Sequence, residues 1–125
     1  MKHPAQAIQL FRFTLSGHSH RAELFLSLLG LPVEAVDVDL LGGQQKTPAY
    51  LAMNRFGQVP VIRDGDVTVA DSNAILVYLA RQYGAPHWLP TDPAIEAQVQ
   101  RWLTVAAGLV AYGPCAARLL TVFKM

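Results

Sequence analysis

GQVPVIRDG, residues 57–65, sets a proline at the head of an apolar run that otherwise reads as a β-strand. Proline cannot donate a ladder hydrogen bond and is confined to strand starts, edges and bulges. An X-Pro bond is also cis in about 5–6% of cases in folded proteins. After Val61 and Ile62 the run reaches Asp64-Gly65, a strong hairpin turn, since glycine takes positive φ at no steric cost. VTVA, residues 67–70, is the returning strand.

Working upstream, AIQLFRF (7–13) alternates apolar and polar residues as a half-buried strand does. HSHRAELFLSLLGLP (18–32) predicts a helix with Leu24, Phe25, Leu28 and Leu29 on one face, closed by Gly30 and Pro32. VEAVDVDL (33–40) alternates again, and TPAYLAMN (47–54) predicts a short helix with Pro48 in its first turn. Downstream, DSNAILVYLARQY (71–83) opens on good cap residues and spaces Ile75, Leu79 and Tyr83 at i+4. The order is β-α-β-α-β-β-α. The first two strands, joined through a helix, are expected to be parallel, and the last two form the hairpin. GAPHWLPTDP (84–93) reads as a linker, after which Asp92 caps a helix with Pro93 at its first position and Ile95, Val99, Trp102 and Leu103 on its buried face.

Bulk properties narrow the function. A chain of 125 residues, 52% hydrophobic and 15% charged, is globular and large enough for one domain or one domain and part of another. Its net charge of +1, without a basic cluster, argues against nucleic acid as a partner. The first residues lack the apolar segment of a signal peptide, and the single Cys115 excludes an internal disulfide. A reducing, cytoplasmic setting fits. His18, Ser19 and His20 invite a metal reading, but His3, His87 and Cys115 offer no suitable spacing for further ligands, so no metal is expected.

LSGHSHR after the first strand, GQVPVI, and ADSNAILVYL together resemble the thioredoxin-like N-terminal domain of glutathione S-transferases. The similarity runs from about Ile8 to Tyr83 and continues into IEAQVQRWLTVAAG (95–108). It implies an α/β fold, a thioredoxin-like β-α-β-α-β-β-α domain followed by the beginning of an all-helical C-terminal domain. The divisions are 1–84 for the glutathione-binding domain, 85–91 for the linker and 92–125 for a truncated helical part.

The resemblance also answers why the strand opens on proline. Family members keep a cis proline at the position of Pro60, and the residue before it, Val59 here, pairs its backbone N–H and C=O with the cysteinyl part of glutathione like one rung of a ladder. Asp71 and Ser72 fall at a helix start, where an anion is favoured. Ser72 suits the glutamyl carboxylate and Asp71 the glutamyl ammonium, although the family more often has glutamate in place of Asp71. Gln58 and Lys46 stand where relatives supply donors to the glycyl carboxylate. Arg55 replaces a frequent proline and either adds a cation or loosens the turn.

Ser16 occupies the place that meets the glutathione sulfur in serine- and cysteine-type members; Ser19 is the alternative. A serine hydroxyl is too weak an acid to act as a base, so its role is to donate a hydrogen bond to the thiolate. Lowering a thiol from about 8.5 to about 6.5 requires about 2.7 kcal/mol. A hydrogen bond to a charged group gives roughly 1.5–3 kcal/mol, and a helix terminus adds roughly 0.3–1 kcal/mol. One hydroxyl and one helix end suffice.

The expected activity is a glutathione transferase, conjugating glutathione to an electrophilic small molecule. The alternatives are a non-catalytic glutathione-binding or scaffolding module and an inactive fragment, because relatives carry a longer helical domain that forms most of the electrophile site. A glutaredoxin-like disulfide exchanger is weakened by Ser16 standing where a redox cysteine would be needed. LTVAAGLVAY (103–112) is apolar on every side. Gly108, Gly113, Pro114 and Arg118 argue against one membrane-spanning helix, and a break is expected at Gly113-Pro114. The exposed apolar surface that results, and the twofold pairing of the family, imply a homodimer.

Overall fold

The computed structural model describes residues 2–125. It divides into two compact units, Met1–Ala85 and Pro86–Met125. The first contains β1 (Ile8–Arg12), α1 (Gly17–Leu28), β2 (Val33–Asp37), α2 (Pro48–Met53), β3 (Val61–Asp64), β4 (Val67–Ala70) and α3 (Ser72–Tyr83). This is the β-α-β-α-β-β-α order that the pattern of strands and helices predicts, thioredoxin-like as the resemblance implies.

The sheet runs β2-β1-β3-β4. β1 and β2 are parallel, with Ile8 opposite Val33, and β1 and β3 are antiparallel, with Leu10 opposite Ile62. β3 and β4 form the hairpin, in which Gly65 takes a φ of +57°. Successive strand residues point to opposite faces, so each central strand feeds two cores. Ile8 and Leu10 of β1 and Ile62 of β3 meet α1 and α3 on one face. Phe11 of β1 and Val61 of β3 meet Tyr50 of α2 on the other, with Val38 and Val59.

Ile75, Leu79 and Tyr83 are buried, as their spacing predicts. The phenols of Tyr78 and Tyr83 both donate to Asp64 Oδ2, at 2.7 and 2.6 Å, and tie α3 to the end of β3. Burial, together with the hydrogen bond to Asp64, pushes the Tyr83 phenol up to about 12.

The face of α1 differs from expectation. Its inward line is Ser19, Ala22, Leu26 and then Leu29; Phe25 is half-buried, while Leu24 and Leu28 face solvent. With apolar residues at 24, 25, 26, 28 and 29, several stripes are equally apolar, so periodicity does not choose between them. The small Ala22 decides it by letting the helix approach the sheet closely.

In the second unit, Asp92 caps α4 (Pro93–Val105), its carboxylate accepting the Ile95 N–H at 3.2 Å. The helix then winds through a π-helical segment, Ala106–Cys115, into α5 (Ala116–Thr121). The break expected at Gly113-Pro114 is absent. Proline lacks the N–H for an i→i−4 bond, but wider π-type winding absorbs such a fault without ending the helix. The result is one helix, Pro93–Thr121, of 29 residues, with an 18-residue window of mean hydropathy 1.5. By length and composition alone it could cross a membrane. The expected buried face is also absent: Ile95 and Trp102 are exposed, Val99 and Leu103 half-buried, and none of α4, the π-helical segment or α5 has a buried residue. Among the described residues of this unit only a short 3-10 turn, Pro86–Trp88, accompanies the long helix, too little to cover it.

Candidate functional site

The candidate residues follow from where the strands end. The register aligns Phe11 of β1, Val61 of β3 and Ala70 of β4 across the sheet. β1 and β4 leave the sheet at this row, and β3 enters it there. Ser16 follows β1, Val59 precedes β3, and Asp71 and Ser72 follow β4. The topology thus gathers candidates from three distant segments at one end of the sheet, as open α/β sheets do for their ligands.

Ser16 is the N-cap of α1, half-buried, and its Oγ accepts the N–H of Ser19 at 3.1 Å. A hydroxyl has one proton and two acceptor positions. The capping bond uses only an acceptor position, so the Ser16 proton is left to donate. Ser19, by contrast, is 2% exposed, and its Oγ accepts the Phe13 N–H at 3.3 Å. It closes the end of β1 onto α1. His18 and His20 are exposed. Among the described residues no group of three or more His, Cys, Asp or Glu side chains comes together as metal ligands would.

The loop before β3 is held from below. The Gln58 carbonyl accepts from the Tyr50 hydroxyl at 2.8 Å and from Asn54 Nδ2 at 3.0 Å. Tyr50 is 3% exposed, and burial pushes its phenol up to about 12. Asn54 also accepts the Phe56 N–H on its side chain and the Gly57 N–H on its carbonyl, so the turn is closed and Arg55 does not loosen it. Gly57 takes a φ of +60°, and a methyl group built on it would lie 2.9 Å from the Gln45 carbonyl oxygen and 3.0 Å from Lys46 Nζ. Lys46 therefore lies against the loop that carries Gln58 and Val59. The Val59–Pro60 bond is cis, and ladder pairing begins only at Val61, which leaves the Val59 N–H and C=O outside the sheet.

At the start of α3, Asp71 takes φ +79° and ψ 129°, a backbone conformation rare for a residue with a side chain. Such strain persists only where the surroundings hold it. Its Oδ2 accepts the Ala74 N–H at 3.1 Å, capping the helix, and its other oxygen lies outside that bond. Ser72 is 6% exposed, and its Oγ accepts from Arg21 Nη1 at 3.2 Å. Arg21 Nη2 donates to Asn73 Oδ1 at 2.7 Å.

Sequence reasoning gave Arg21, Asn73, Tyr50 and Asn54 no part in the site. Arg21 meets partners some fifty positions away, so no local spacing announces it. Asn54 was legible, since Asn followed three residues later by Gly is a type I turn signal.

Residues 10–87 match the family profile of the glutathione S-transferase N-terminal domain. The chain belongs to the glutathione S-transferase family. Human glutathione S-transferase theta-2 is 37% identical over 97 residues, which are 77% of this chain and 40% of the relative. Glutathione S-transferase F10 of Arabidopsis thaliana is 40% identical over 95 residues, covering 74% of this chain and 44% of the relative. The chain thus spans less than half the length of these two transferases. Among solved structures, the glutathione S-transferase from Pseudomonas fluorescens superimposes with a TM-score of 0.87 at 32% identity, over 95% of this chain and 58% of that one. A glutathione transferase homologue from Drosophila mojavensis, solved with bound glutathione, gives 0.81 at 30% identity, over 93% and 55% of the two chains.

Proposed function

We propose that this chain binds glutathione at the end of the sheet where Ser16, Val59 and Ser72 gather, and that Ser16 donates a hydrogen bond to the thiolate. The thiolate sulfur then attacks an electrophilic carbon, forming the carbon–sulfur bond as the leaving group departs with its electron pair. Ser16 carries the reading: one of its acceptor positions is taken by the Ser19 N–H, and its proton is left over. The burial of Ser19 supports Ser16 over the alternative. Val59 lies outside the ladder, where its backbone can pair with the cysteinyl residue. The uncommitted Asp71 oxygen suits the glutamyl ammonium, Ser72 the glutamyl carboxylate, and Lys46 with Gln58 the glycyl carboxylate. Glutathione bound to a solved relative of the same fold supports this choice of ligand. A reducing, cytoplasmic setting suits a thiol substrate.

Titration with glutathione, alongside turnover of 1-chloro-2,4-dinitrobenzene, is the test. Binding with turnover is expected; no glutathione binding at millimolar concentration would overturn the reading. Binding without turnover would support the second reading, a glutathione-binding module. The observation in that reading's favour is that the helix of the second unit buries none of its residues. The same exposed surface supports a homodimer, and sedimentation at micromolar concentration is expected to find a dimer or larger; a compact monomer would refute it.

A further inference from the structure

Arg21 links the helix that carries Ser16 to the helix that Ser72 begins. Its guanidinium meets two consecutive residues of the first turn of α3, with Nη1 on Ser72 Oγ at 3.2 Å and Nη2 on Asn73 Oδ1 at 2.7 Å. Both of these contacts are to neutral oxygens. The planar fork has a fixed angle between its donors, so two such bonds define where the turn lies relative to α1. Guanidinium is donor-only and has no acceptor. The Ser72 hydroxyl, 6% exposed, must therefore give its proton to something other than Arg21.

We infer that Arg21 is a positioning residue for a carboxylate at Ser72. By donating to Ser72 Oγ it fills one of the hydroxyl's two acceptor positions and leaves the proton for the carboxylate, and its second bond, to Asn73, holds that hydroxyl in place. The inference rests on the glutathione reading above, in which the carboxylate is that of the γ-glutamyl group. Lysine at position 21 keeps the charge but loses the fork, so it cannot hold both oxygens.

The test is calorimetric titration of the full chain with glutathione and with an analogue lacking only the glutamyl α-carboxylate, 4-aminobutyryl-cysteinylglycine. Wild type is compared with Arg21→Lys, Arg21→Met, Ser72→Ala and the Arg21→Met/Ser72→Ala double variant, with thermal unfolding of each as a check on folding. Arg21→Lys and Arg21→Met are expected to weaken glutathione binding about tenfold, the size of one hydrogen bond to a charged group. Binding of the analogue should change less than about twofold. The double variant should bind glutathione no worse than Ser72→Ala alone, because Arg21 acts through Ser72. Equal losses for both ligands, or additive losses in the double variant, would overturn the positioning role while leaving the glutathione reading intact. Failure of wild type to bind glutathione would overturn both. If Arg21→Met does not fold, Arg21→Lys against the two ligands decides the matter.

Discussion

Residues 8–83 and residues 93–121 are both rich in leucine, valine and alanine, and they use these side chains differently. In the first unit Ile8, Leu10, Leu26, Ile62, Ile75 and Leu79 are fully buried. In the second, Trp102 is 66% exposed and Leu109 76%, with Leu119, Leu120 and Val122 also in solvent. The difference lies in layering. β1 and β3 alternate their side chains between two covered faces, and α1 and α3 add a third layer to one of them. The long helix of the second unit carries apolar residues around its circumference, and one helix cannot cover itself. An apolar composition is therefore no measure of a core.

The sharpest way to break this comparison is to truncate one leucine in each unit. Leu79→Ala is expected to lower unfolding stability by roughly 2–5 kcal/mol, since it deletes a fully buried side chain at the α3–sheet junction. In protein too dilute for chains to pair, Leu109→Ala should change it by no more than about 0.5 kcal/mol. Chemical denaturation checks both. A large loss at Leu109 would mean that the second unit is covered in solution, by a second copy or another chain.

Next in size is the pair of serines. Ser16→Ala should lower turnover about tenfold or more, the effect of a hydrogen bond to a charged sulfur, while glutathione affinity falls much less. Ser19→Ala should instead lower stability by about 1 kcal/mol and spare the rate of the folded protein, because its hydroxyl serves the Phe13 N–H. Steady-state kinetics with thermal unfolding separates the two; the reverse pattern would move the thiolate contact to Ser19.

The buried phenols give the first unit a pH limit. Burial raises Tyr50 from its ordinary 10.0 to about 12, so the fold favours the protonated phenol. That contribution is complete below pH 10 and is lost as pH climbs through about 12. Tyr83 is displaced in the same direction and titrates over the same window. Denaturation midpoints across this range should fall in wild type, and less steeply in Tyr50→Phe, which also loses about 1 kcal/mol at neutral pH with its bond to Gln58. Equal slopes would assign the alkaline loss to other groups.

The smallest expected effect tests whether the second unit responds locally. Asp92→Ala removes the cap of α4 at a cost of about 1 kcal/mol to that helix. Amide exchange at residues 93–97 should quicken, with protection at Leu10 and Ile62 unchanged.

The division between the units also marks what could be read beforehand. The strands, the hairpin and α3 were legible because alternation at Ile8–Gln9–Leu10, the Asp64-Gly65 turn and the Ile75–Leu79–Tyr83 spacing are local signals. The face of α1 was not, because its apolar residues outnumber those that can fit one stripe. Nor was the continuous helix through Pro114, since whether a proline breaks a helix or is absorbed depends on winding that sequence does not display. In the candidate site, Asp71 and Ser72 stood out as residues at a helix start, and Ser16 through the resemblance to the family. Arg21 did not, because its role exists only once α1 and α3 lie side by side.

The strand order has a consequence for synthesis. β1 lies in the interior of the sheet, but its antiparallel neighbour β3 comes after α1, β2 and α2 in the chain. Leu10 must therefore wait for Ile62, and the β1–β2 pair made first leaves one side of β1 without a neighbour. Contacts that distant close slowly and late. A nascent chain that has not yet emerged past the hairpin carries an open, apolar strand edge, the form of sheet most prone to pairing with another chain. A nascent chain emerged from the ribosome only as far as Ala70 should therefore be a species that chaperones hold, and one emerged past Tyr83 should have folded.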